Sequence, residues 1–112
     1  TNWINDIFKL NQLDLIIANA GVSAGTAQGH EEEFQVRYIF KVNLEGVLNT
    51  LLPSIPHMVR NKKGQIAIMS SMAGFMGLPS CPAYSASKAA VRVLGEALRG
   101  DLKKDNIGVT II

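Results

Sequence analysis

A single cysteine, Cys81, leaves the chain unable to form an internal disulfide and points to a reducing compartment, the cytoplasm. No apolar run approaches the roughly 18 residues needed to span a bilayer, and no stretch reads as a secretory leader. Both absences argue against a membrane protein. Charge is sparse: charged residues make up 18% of the chain and the formal net charge is +2. The pairs Lys62–Lys63 and Lys103–Lys104 suit helix ends better than a nucleic-acid stripe. His30 and His57 lack partners at metal-ligand spacing, so no metal site is expected. No GxGxxG or Walker loop occurs, and the glycines of residues 21–30, GVSAGTAQGH, read as an ordinary connection. Internal repeats and low-complexity segments are also missing.

What the 112 residues do contain is a globular composition, 47% hydrophobic, enough for at most one domain. Residues 3–10, WINDIFKL, place Trp3, Ile4, Ile7 and Phe8 on one helical stripe. Residues 13–21, LDLIIANAG, read as a strand buried on both faces and ended by small residues that permit close approach. His30 through Pro53 reads as a long helix with Glu31, Glu32 and Glu33 in its first turn, where carboxylates suit the helix dipole better than a metal. Its inward stripe is Ile39, Val42, Gly46 and Val47. Asn43 falls inside that stripe and must therefore be hydrogen-bonded. Pro53 and Pro56 are expected to kink or finish this helix before a turn at 61–64.

Residues 65–71, QIAIMSS, read as a second strand with Ser70 and Ser71 at its carboxyl end. Ligands bind beyond that end in open parallel sheets, although serines there also form turns. A loop follows, MAGFMGLPSCPA, then a helix with Val91, Leu94, Leu98 and Leu102 on its inward stripe. Ala86, Ala90, Ala97 and Gly100 are expected to permit close helix packing. Asn106 and Gly108 should stop this helix, and IGVTII begins a third strand. Alternating elements of this kind imply right-handed βαβ units and a parallel sheet.

The tyrosine helix opens with AYSASKAA, residues 83–90. Tyr84 and Lys88 lie four residues apart, on one helical face. A free tyrosine, with a pKa of about 10, is mostly idle in proton transfer near neutrality. A cation roughly 5 Å away, at an effective dielectric of about 20, favours phenolate by roughly 3 kcal/mol, or about two pKa units. The plainer reading is an exposed pair with the lysine stem lying along the ring.

With ANAG at 18–21, Asn43 in VNLEG, Ser71 in SSMAG and YSASK at 84–88, the chain resembles a classical short-chain dehydrogenase/reductase over essentially its whole length. The 28 residues from Asn43 to Ser71 and the 13 from Ser71 to Tyr84 fit the family pattern; Ala18, where the family has asparagine, departs from it. The resemblance implies an α/β fold, a Rossmann-like doubly wound parallel sheet with only its second half (β-α-β-α-β) present. It also implies hydride transfer between NAD or NADP and a small alcohol or carbonyl substrate. Tyr84 resembles the family's general acid/base, and Ser71 the residue that orients the substrate oxygen. Lys88 resembles the cation that lowers the tyrosine pKa and holds the nicotinamide ribose, and Asn43 the member that fixes a relay water. Asn19, Ala20 and Gly21 resemble the segment beside the cofactor.

The family's TGxxxGxG turn is absent from residues 1–112. The chain starts at Thr1 and stops within an apolar run, so it reads as the catalytic part of a longer NAD(P)-binding domain, expected to be inactive alone. The resemblance further implies a homodimer or homotetramer through helices 31–53 and 84–105, with neither nucleic acid nor membrane as partner. A substrate pocket would be lined by Met72, Phe75, Met76 and residues near Cys81, although those side chains could equally be core. Two other readings stay open: an extended-type nucleotide-sugar epimerase or dehydratase, and a non-catalytic Rossmann-like interaction domain.

Overall fold

The computed structural model describes residues 2–23 and 29–112. Residues 24–28 of the connection 21–30, Gly25 among them, lie outside the described residues. Three short parallel strands, β1 (Leu15–Ala18), β2 (Gly64–Ile68) and β3 (Ile107–Ile111), form one sheet in the order β1-β2-β3. Among the described residues four α-helices accompany them: α1 (Asn2–Leu10), α2 (Glu33–Phe40), α3 (Gly46–Asn61) and α4 (Pro82–Leu102). Sequence order is strand, helix, strand, helix, strand after α1, as the alternation predicts.

The register sets what is buried. Ile16, Ile66 and Val109 lie in one row across the sheet, and all three are buried in a core with Val47, Leu51 and Met58 of α3 and Val91 and Leu102 of α4. Because side chains alternate across a strand, Ile17, Ala67 and Thr110 form the row on the opposite face. There Leu15 and Ile17 are 51% and 52% exposed, so β1 is buried on one face rather than two. The hydrophobic run in β1 therefore contributes half of its side chains to this core. Burying the Ile16 side chain is worth about 1.5–3 kcal/mol, and the Ala18 methyl less.

Element limits differ from the sequence reading where local chemistry overrides pattern. The long helix starts at Glu33, where a capping box links Glu32 with the Gln35 side chain, and it runs on through Pro53 and Pro56 to Asn61. The prolines remove amide donors to the carbonyls of Asn49 and Leu52; both residues are exposed, where solvent can satisfy such carbonyls, and the helix continues. Lys62, in the left-handed region (φ 53°), ends α3. Lys103–Asp105 form a 3₁₀ turn after α4, and Asn106 (φ 61°) stops it; Gly108 belongs to β3, against the Gln65 side chain. In α1, Ile4 is buried but Trp3 faces outward. The close approach of α4 to the sheet is made at Gly95, where a Cβ would fall 2.7 Å from Ile111 Cγ1. Ala86, Ala97 and Gly100 are exposed and do not pack there. No helix among the described residues is long and apolar enough to cross a membrane.

Candidate active site

Three segments converge at the carboxyl ends of β1 and β2. The first is Asn19–Ser23, which follows β1; the second is Met69–Ser71, which follows β2; the third is the opening of α4. Together Asn19, Gly21, Val22, Ser23, Met69, Ser70, Tyr84 and Lys88 enclose a cleft of about 250 Å³. This is where a parallel sheet opens to ligands.

Lys88 is the charged centre of the cleft. Its side chain is only 5% exposed, and its Nζ donates to the Met69 carbonyl at 3.2 Å. The same Nζ lies 6.0 Å from the centroid of the Tyr84 ring. The i, i+4 spacing therefore brings ammonium and phenol together, with the cation buried instead of solvated. Burial pushes the Lys88 pKa below its ordinary 10.5. A native pKa below the unfolded one means the native state is the weaker proton binder. The ammonium thus costs stability at neutral pH, a cost relieved as pH rises through the native value toward 10.5. Gly21 makes room for the ammonium, since a Cβ there would come 3.0 Å from Nζ and 3.7 Å from Asn43 Oδ1. Of the small residues that end β1, Gly21 is the one that lies against the Lys88 ammonium.

Asn43 lies at the centre of a π-helical turn, Lys41–Glu45, between α2 and α3, closed by the Gly46 amide donating to the Lys41 carbonyl. Such turns widen a helix locally and recur at functional sites. The asparagine is fully buried. Its Oδ1 accepts from the Val22 amide at 2.7 Å, and its Nδ2 donates to the Val22 carbonyl at 2.9 Å and to Ser87 Oγ at 3.1 Å. Ser87 Oγ in turn donates to the Tyr84 carbonyl at 2.9 Å. One buried amide thereby ties the segment after β1 to the helix that carries tyrosine and lysine.

The two serines divide their work. Ser70 Oγ donates to the Lys88 carbonyl at 2.9 Å, tying β2 to α4. Gly74 permits that contact, because a Cβ there would fall 2.9 Å from the Lys88 carbonyl oxygen. Ser71, the serine singled out by the sequence, caps a 3₁₀ turn (Met72–Phe75) by accepting from the Ala73 amide at 3.1 Å. It does not line the cleft, and its hydroxyl proton remains available to donate. Asn19 and Gly21 line the cleft; Ala20 is exposed and does not.

Two residues of this neighbourhood escaped the sequence reading. Ser87 is the bridge between Asn43 and Tyr84; its place inside YSASK, one residue before the lysine, was the available signal. The sequence places Glu31 in a helix start, but its carboxylate reaches α4 and accepts from the Ala83 amide at 2.7 Å and the Tyr84 amide at 3.2 Å. No local pattern signals a contact across 52 residues.

Met72, Phe75 and Met76 are 88%, 71% and 66% exposed, so they are not core. Phe75 stacks under the Arg92 guanidinium, 4.5 Å from the ring centroid. Among the described residues no group of His, Cys, Asp and Glu is arranged to hold a metal.

Comparison with known proteins agrees with this geometry. Residues 2–112 match the short chain dehydrogenase family. An uncharacterized oxidoreductase of Myxococcus xanthus is 43% identical over 100 residues, covering 89% of this chain and 40% of that protein. The crystal structure of a gluconate 5-dehydrogenase from Burkholderia cenocepacia in complex with NADP and tartrate superposes with a TM-score of 0.87 at 25% identity, over 96% of this chain and 43% of that one. An NAD+-bound xylitol dehydrogenase superposes with a TM-score of 0.86 at 26% identity, over 98% and 43% of the respective chains. The chain therefore spans less than half the length of these relatives, and it belongs to the short chain dehydrogenase family.

Proposed function

From that membership we propose that the protein is an NAD(P)-dependent oxidoreductase that interconverts an alcohol and a carbonyl compound, with Tyr84 exchanging the proton. The observation that carries this reading is the buried Lys88 ammonium 6.0 Å from the Tyr84 ring, in a cleft at the carboxyl ends of two parallel strands. A nicotinamide cofactor, when bound, takes the hydride from the alcohol carbon or delivers it to the carbonyl carbon. Relatives of both kinds, NADP-bound and NAD+-bound, support either form of the cofactor. The cleft residues fit its nicotinamide-ribose end: Lys88 offers ammonium donors, Asn19 an amide, and Gly21 a surface without a side chain. A 250 Å³ cleft is too small for a whole dinucleotide, which supports reading residues 1–112 as the catalytic half of an NAD(P)-binding domain.

In alcohol oxidation the Tyr84 phenolate accepts the hydroxyl proton as the C–H bond gives up its hydride. In reduction the phenol returns that proton to the carbonyl oxygen. Lys88 favours the phenolate by its charge and is well placed to hold ribose hydroxyls. Ser71 stands next to the cleft-lining Ser70 and keeps an Oγ proton to donate, which suits it to orient a substrate oxygen bound at the rim of the cleft. Asn43, whose amide is engaged by Val22 and Ser87, sits at the centre of the π turn whose backbone would hold a relay water. Exposed Phe34, Tyr38 and Leu52 on α2 and α3, and Val93 on α4, support association with a second copy through these helices.

The test is Tyr84→Phe in the native protein, assayed with NADH and NADPH against a panel of carbonyl compounds. Turnover should fall by about a thousandfold or more while the fold and cofactor affinity persist. Turnover near wild type would show that another group moves the proton.

A further inference from the structure

The N-terminus of α4 is capped from a distance. Its N-cap residue, Cys81, makes no side-chain cap bond. Pro82 has no amide hydrogen, and the Ser85 amide is taken by the Cys81 carbonyl at 3.0 Å. The two donors that remain in the first turn, Ala83 and Tyr84, both go to the carboxylate of Glu31, at 2.7 and 3.2 Å. Glu31 is half-buried and stands immediately before the capping box of α2, so it fastens the start of α2 to the start of α4. Tyr84 is then gripped at both ends of its own backbone: Glu31 holds its amide, and Ser87 Oγ holds its carbonyl.

We propose that Glu31 is a positioning residue for the reaction, a remote cap whose carboxylate fixes the first turn of α4 and through it the direction of the Tyr84 side chain. The inference rests on the reading of Tyr84 as the proton-exchanging group. The physical argument is geometric. A carboxylate accepting two amides makes strong, charge-assisted bonds at the positive end of a 21-residue helix. Lys88 lies one turn further on, with its own anchors at Met69 and Ser70. Loosening the first turn therefore moves the tyrosine and leaves the lysine in place. Displacements of about 1 Å at a reacting group cost on the order of a hundredfold in rate.

The test compares Glu31→Ala and Glu31→Gln with wild type and Tyr84→Phe in the native protein, reading kcat, KM, cofactor affinity and amide hydrogen exchange across residues 82–86. Glu31→Ala should lower kcat by roughly ten- to a hundredfold, with cofactor affinity changed less than about twofold and amide protection lost at Ala83 and Tyr84. Glu31→Gln keeps an acceptor oxygen and should recover part of both kcat and protection, which a general loss of stability would not produce. Unchanged kcat in Glu31→Ala beside an inactive Tyr84→Phe would overturn the positioning role alone. So would unchanged protection at 83 and 84. Full turnover in Tyr84→Phe would instead overturn the reading of the tyrosine, and the exchange data would still report whether Glu31 holds the turn.

Discussion

The cluster around Lys88 and the loop around Phe75 both lie beyond the carboxyl end of β2, and could hardly be built more differently. In the cluster Asn43, Ser87 and Lys88 are buried, and every buried side-chain polar atom of the described residues has a partner. Four separate segments, those after β1 and β2, the π turn and the start of α4, are stitched together there by hydrogen bonds of 2.7 to 3.2 Å. In the loop, Met72, Phe75 and Met76 stand largely in solvent, with Phe75 beneath Arg92, whose Nε also donates to the Gly74 carbonyl at 3.2 Å. The lesson is a division between chemistry and choice. The groups proposed to handle the proton are held by the fold, whereas Met72 and Met76 beside them, proposed to meet a substrate, project into solvent. A scaffold of this kind can change substrate without disturbing its reaction.

The largest break in that contrast should come from Asn43→Ala. It removes three hydrogen bonds at once and strands the Val22 amide and carbonyl in a partly buried place. Unmade bonds of this type cost about 1–3 kcal/mol each, so a loss of roughly 2–4 kcal/mol in unfolding free energy is expected. Chemical denaturation of the native protein measures it. A loss below the loop variants' own would show that the cluster is not the rigid region. Phe75→Ser should sit at the other extreme, within about 0.5 kcal/mol of wild type in the same experiment, while altering KM across a substrate panel. A large destabilisation there would mean the loop is packed after all, against something that covers it.

The same contrast explains what was legible in the sequence. Strand–helix alternation and the parallel sheet follow from apolar runs spaced by helical stripes, and those signals are local. Tyr84 and Lys88 were legible because four-residue spacing is itself a contact on a helix. Asn43 announced itself as a polar residue on an apolar stripe, although nothing in the sequence showed that a π turn surrounds it or that Val22 is its partner. Glu31 was misread as a simple helix start because its partners lie 52 and 53 residues away, where periodicity carries no information. The prolines of α3 misled in the opposite direction. Propensity penalises them in a helix interior, but exposed carbonyls one turn earlier can turn to water. Trp3 and the outer face of β1 show a further limit: an apolar pattern names a face and does not say what covers it.

In the function proposed here, Tyr84 and the buried Lys88 act as one proton-transfer unit. The most direct measurement is the pH–rate profile of alcohol oxidation in Lys88→Met against wild type, in the native protein at saturating cofactor. The positive charge favours the phenolate, so removing it should move the rise in rate to higher pH, by about one to two units. Methionine fills much of the same space, which keeps the packing of α4 on the strand ends. A rise at the same pH in both proteins, with only the cofactor affinity changed, would contradict the account and leave Lys88 as a binding residue alone.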